Sequence, residues 1–129
     1  MENGSLPNLE ELHITGCSKL KRLTLEATLL QRLELDECDG LEELDCKGLS
    51  SLRMLDLCCC ESLRTLCSLP TTLQKLKLRD CKELEFLDIG GCSCLRDLDI
   101  MGCNPLVQST ISGWHRLTSD PSLQIRQLE

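Results

Sequence analysis

A nine-residue phrase, LxxLxLxxC, returns five times at a spacing too regular for a chain folded around an irregular core. Its copies are Leu9-Leu12-Ile14-Cys17, Leu30-Leu33-Leu35-Cys38, Leu52-Leu55-Leu57-Cys60, Leu73-Leu76-Leu78-Cys81 and Leu95-Leu98-Ile100-Cys103. The opening leucines stand 21, 22, 21 and 22 residues apart. A weaker series lies midway between them: Leu20-Leu23-Leu25, Leu41-Leu44-Cys46, Leu63-Leu66 and Leu84-Leu87-Ile89. Only the first series has a cysteine at every ninth position, so the two halves of a repeat are not equivalent.

A fixed period of this length is the signature of a solenoid. In LxL the leucines alternate with polar residues, the period of a half-buried strand. One copy cannot bury its apolar row alone. Stacked copies, with parallel strands about 4.8 Å apart, join the rows into continuous ladders. The second series predicts that the back of each coil is extended or irregular too, with little helix. The back half is expected to break at Ser68-Leu69-Pro70, where proline removes a donor. Residues 1–8 read as a lead-in, 9–106 as about five coils and 107–129 as a tail. In the tail, Val107, Ile111, Trp114 and Leu117 fall near helical spacing, diluted by Ser, Thr and Gly113. Two readings of it stand: Trp114 covers the open end of the last coil, or the tail is unstructured beyond Asp120-Pro121.

Trp114 and Phe86 are the only aromatic residues. The core must therefore come from regularly arranged leucine rather than aromatic bulk. Net charge −7 excludes the basic field that nucleic acid or an anionic membrane needs in a partner. The opening MENGSLPNLEEL has no basic-then-apolar leader pattern, and no apolar run approaches the roughly 20 residues of a membrane span. A cytoplasmic chain is the expectation.

Eleven cysteines, three of them consecutive at Cys58-Cys59-Cys60, raise the question of a metal or disulfide framework. The odd count and the lack of an export signal oppose disulfides, although neighbouring rungs are close enough to bridge. Zinc prefers paired CxxC ligands or histidine partners. Here the spacing is one cysteine per coil, and His13 and His115 lie far apart. Cys17, Cys38, Cys60, Cys81 and Cys103 therefore read as a structural ladder of small thiols with weak S–H donors, placed where the chain leaves each strand. Cys58, Cys59 and Cys94 are expected to be partly exposed.

Residues between the leucines point away from the core. They form rungs Glu11-His13-Thr15, Arg32-Glu34-Asp36, Met54-Asp56-Cys58, Lys75-Lys77-Arg79 and Asp97-Asp99-Met101. Candidate partner-binding residues are Arg32, Glu34, Met54, Asp56, Lys75, Lys77, Arg79, Asp97, Asp99 and Met101. Cross-strand pairing accounts for part of this pattern, since Lys77 falls one strand from Asp56 and Asp99. Arg79, flanked by Cys58 and Met101, is expected to lack an acidic neighbour and to be free for a partner's carboxylate. His13 near Glu34 is the one acid–base arrangement, with no nucleophile beside it. No catalytic residue, metal ligand or cofactor is assigned, and no enzymatic activity is expected.

The phrases LEELHITGCSKL, LQRLELDECDGL, LQKLKLRDCKEL and LRDLDIMGCNPL, with LCCCESLRTLCSLP running to Pro70, resemble the leucine-rich-repeat region of plant nucleotide-binding disease-resistance proteins. The resemblance spans about residues 6–106. It implies an α/β-type leucine-rich-repeat solenoid that recognises an effector or host protein, or contacts other domains of a larger receptor. The family's phosphate-binding loop is absent, so nucleotide binding does not carry over. The substrate-recognition repeats of F-box ubiquitin-ligase adaptors are the alternative, although such repeats are longer. A cysteine-based redox or metal-responsive protein is the alternative of another class.

Overall fold

The computed structural model describes residues 3–127. Of the lead-in and tail, residues 1, 2, 128 and 129 lie outside the described residues. In chain order the strands are β1 (Asn3–Ser5), β2 (Glu11–Thr15), β3 (Arg22–Glu26), β4 (Arg32–Asp36), β5 (Glu43–Asp45), β6 (Met54–Cys58), β7 (Thr65–Leu66), β8 (Lys75–Lys77), β9 (Phe86–Asp88) and β10 (Asp97–Asp99). A 3-10 turn (Gln108–Thr110), β11 (Ile111–Ser112), helix α1 (Trp114–Thr118) and β12 (Gln124–Arg126) follow.

The chain winds as a solenoid of stacked parallel strands. Even-numbered strands form one six-stranded front sheet in the order β12-β10-β8-β6-β4-β2. Odd-numbered strands form the back, as two three-stranded sheets, β1-β3-β5 and β11-β9-β7. The register follows the repeat: Leu12, Leu33, Leu55, Leu76, Leu98 and Ile125 pair along one row. From Leu33 to Leu98 this row is fully buried. Leu6, Leu9, Leu12, Ile14 and Leu20 at one end, and Leu123 and Ile125 at the other, are only partly buried.

Each coil turns at two similar corners. After the front strand, the cysteine carbonyl accepts the N–H of the leucine three residues on, as in Cys38–Leu41, Cys60–Leu63, Cys81–Leu84 and Cys103–Leu106. After the back strand, Ala27–Leu30, Leu49–Leu52, Pro70–Leu73 and Cys92–Leu95 repeat that bond. Pro70 serves there through its carbonyl, the one backbone polar group it has.

The back ladder is interrupted between β5 and β7, next to the predicted break. Ser68 stands where Leu25, Cys46 and Ile89 point inward, but it adopts φ 58° and is exposed, and Leu69 is buried instead. The back path thus shifts by one residue at that coil.

Lead-in and tail both add strands. β1 extends the back beside β3, and the tail supplies β11 and β12. The helical spacing read through Val107, Ile111, Trp114 and Leu117 is realised only over Trp114–Thr118, because Ile111 lies in a strand and Val107 is exposed. Trp114 is buried against the core, and Arg116 Nη2 donates to the carbonyls of Ile89 (3.0 Å) and Cys92 (2.8 Å) beneath it. No helix among the described residues is long and apolar enough to cross a membrane.

Candidate functional site

The front sheet carries its outward side chains in columns, one residue per coil. Glu11, Arg32, Met54, Lys75, Asp97 and Gln124 form the first; His13, Glu34, Asp56, Lys77, Asp99 and Arg126 form the second. Thr15, Asp36 and Cys58 begin a third, with Arg79 and Met101 following beyond their strands. Alternation along a strand makes these groups coplanar, and the apolar ladder behind holds them in place.

Charges along the columns compensate one another in part. Glu34 lies between His13 Nδ1 and Arg32 Nη1, each 3.8 Å away. Asp97 accepts from Arg126 Nη1 at 3.1 Å. Lys75 and Lys77 make no ion pair within 4 Å among the described residues, although Lys77 stands in register beside Asp56 and acts on its carboxyl.

Arg79 is placed differently from expectation. Its Nε donates to Asp99 Oδ2 at 2.7 Å, and Asp99 is 0% exposed, whereas the Arg79 side chain is 53% exposed. Asp99 is therefore not an outward contact residue but the buried half of an ion pair, its other oxygen accepting the Met101 N–H at 3.2 Å. Arg79 has an acidic partner after all, reached diagonally across the stack. The pairing holds its guanidinium above the ordinary arginine range.

His13, Glu34, Asp36, Asp56, Cys58, Lys77 and Arg79 surround a shallow depression of ≈ 350 Å³ on this face. Burial pushes the Asp56 carboxyl up, Lys77 opposes that, and Glu34 and Asp36 reinforce it. Leu35 also lines the depression, which brings acids, bases and the Cys58 thiol together.

The thiol ladder lies at the edge of this sheet. Cys60 Sγ donates to Leu35 O at 3.4 Å, Cys81 Sγ to Leu57 O at 3.0 Å, and Cys103 Sγ to Leu78 O. Cys38 reaches Ile14 O at 3.9 Å. Each thiol thus ties its own coil to the inward residue that ends the preceding strand. Cys17 is the exception and corrects the expected five-membered ladder. It is exposed and meets only Thr15 O of its own strand, at 4.0 Å, because β2 is the sheet's edge. Burial pushes the Cys60 and Cys46 thiols up to about 12 and Cys92 to about 11. They are neutral near pH 7, and the thiolate is the reactive form.

A second recurring feature went unread in the sequence. The residue before each ladder cysteine is left-handed: Gly16 (φ 71°), Glu37 (56°), Cys59 (61°), Asp80 (58°) and Gly102 (82°). The first four donate their N–H to the next coil, to the carbonyls of Asp36, Cys58, Arg79 and Met101 at 2.8–2.9 Å. Two glycines among five positions were the available signal, and three larger residues obscured it.

No family model matches the chain, and no curated protein sequence matches it.

Proposed function

We propose that the chain is a leucine-rich-repeat interaction module whose front sheet receives a protein partner. The supporting observation is the front sheet itself: six parallel strands present ordered columns of charge, with Lys75 and Lys77 at their centre in no ion pair within 4 Å among the described residues. Such a surface suits recognition by complementary charge, which favours selectivity and association rate over raw affinity. The repeat phrase further favours the recognition region of a plant intracellular immune receptor working in defence, in the cytoplasm. Candidate contacts are Arg32, Glu34, Met54, Asp56, Lys75, Lys77, Asp97 and Met101, with Arg79 contributing the N–H groups not turned to Asp99.

The test is a paired charge reversal. Lys75→Glu with Lys77→Glu on the front, and Arg22→Glu with Arg64→Glu on the back, are compared for co-purification of partners from plant tissue. Loss of a partner by the front variant alone supports the reading. Equal retention by both variants sinks it. Recovery of ubiquitin-ligase subunits through the front face transfers support to the F-box alternative.

A further inference from the structure

Successive residues of a strand point to opposite faces, so Cys58 and Cys59 would be expected to diverge. They converge. Cys59 takes the left-handed turn at φ 61°, and the two Sγ atoms come to 3.6 Å, both thiols partly exposed and Cys58 lining the front-face depression. The backbone there is pinned on both sides: Glu37 N–H donates to Cys58 O at 2.8 Å, and Cys59 N–H to Arg79 O at 2.9 Å. A cysteine in this conformation is strained relative to the glycines at the equivalent positions 16 and 102.

The pair is badly built for a disulfide. Adjacent residues across a trans peptide hold their Cα atoms about 3.8 Å apart, short of the roughly 4.4–6.8 Å that an unstrained bridge spans. It is well built for an atom inserted between the sulfurs. Two sulfurs bonded at about 2.3 Å to one pyramidal atom, with an angle of about 100° between the bonds, stand roughly 3.5 Å apart, close to the observed separation. Zinc wants four ligands, and no group of three or more metal-ligating side chains exists among the described residues.

We propose that Cys58 and Cys59 form a dithiol clamp for a thiophilic centre that takes two sulfurs, of the chemical class of monosubstituted trivalent arsenicals. The reaction is a condensation: RAs(OH)2 plus two thiols gives RAs(S–Cys)2 plus two waters. Two As–O and two S–H bonds break, two As–S bonds form, and each thiol proton leaves with a hydroxyl as water. Arsenic stays trivalent and no oxidant is consumed. The balance is written between neutral thiols, so burial, which pushes the Cys58 thiol up, slows the attack without changing its stoichiometry.

The probe is phenylarsine oxide, added to the reduced full chain and read by intact mass and by titration of free thiols. One arsenical is expected per chain, with two thiols lost, resistant to a monothiol wash and released by a dithiol. Cys58→Ser and Cys59→Ser should each reduce retention at least tenfold while circular dichroism stays that of the folded chain. Cys67→Ser and Cys94→Ser, at other exposed thiols, should retain the adduct. Undiminished retention by folded Cys58→Ser or Cys59→Ser overturns the assignment, as does a folded wild type that binds none. Cys59→Gly separates site from scaffold: it should lose the adduct and gain thermal stability, and retention there also overturns the clamp.

Discussion

Replacing Arg79 by Glu sets a like charge against the Asp99 carboxylate, which is closed off from solvent and, among the described residues, has no second cation within 4 Å. A buried charge deprived of its partner is strongly destabilising, so a clear fall in the thermal midpoint is expected, with Arg79→Lys falling less. An unchanged midpoint in Arg79→Glu would show the pair to be ornamental. Sequence alternation in Asp97-Leu98-Asp99 placed both acids outward and was right about direction. It could not give burial: each acid meets an arginine from a neighbouring coil, yet Asp99 beside Arg79 is fully buried while Asp97 beside Arg126 stays partly exposed. Asp56 makes a related point through pH. Its folded pKa is raised, chiefly by burial, so between the ordinary carboxyl value near 3.9 and that higher value the folded state holds more protons than the unfolded one. Stability from this group is thus present at low pH and lost as pH rises through the folded pKa. Asp56→Asn should melt above wild type at pH 7, and the gap should close as pH falls through that window. A gap constant with pH would assign the effect elsewhere. Glu37, exposed and left-handed, carries a backbone cost of about 1 kcal/mol that glycine avoids. Part of that gain returns as entropy of the unfolded chain. A denaturation midpoint modestly raised in Glu37→Gly is expected, and a lowered one would mean that its side chain holds the turn.

Among elements, the front strands were the legible part, because LxLxxC fixes both face and register. Leu76 shows what that register is worth. It is fully buried between coils, so Leu76→Ala should cost about 2–5 kcal/mol in chemical denaturation. Leu12, on the edge strand and half-buried, should cost visibly less when cut to alanine. Equal losses would contradict the difference in burial. β12 escaped the sequence reading for a definite reason. Its ladder partner of Leu98 is Ile125, 27 positions on, while the other coils run 21 or 22. The extra residues form the 3-10 turn and α1, and Gln127 stands where the next inward leucine belongs. β1 was hidden similarly, since Gly4, not leucine, pairs with Leu25. The back break was visible through Pro70, but not the one-residue shift that leaves Ser68 exposed and buries Leu69.

At the scale of the molecule, a stack held by neighbour contacts should open from its ends inward. The two end coils carry the half-buried leucines, and the middle coils the fully buried ones. Amide exchange should accordingly be slowest in β6 and β8. The thiol ladder adds a chemical consequence to that mechanical order. Each ladder cysteine is sealed by the coil below it and becomes nucleophilic only while that coil is parted. An alkylating reagent therefore acts as a stopwatch with several hands. Cys17 should be marked at once, Cys38 and Cys103 next, and Cys60 and Cys81 last, as read by peptide mapping against time. Simultaneous marking of all buried thiols would mean that the stack parts in one cooperative event. In a sample pulsed with reagent under mild stress, the pattern of marked cysteines would preserve, as covalent history, which coils had parted and in what order.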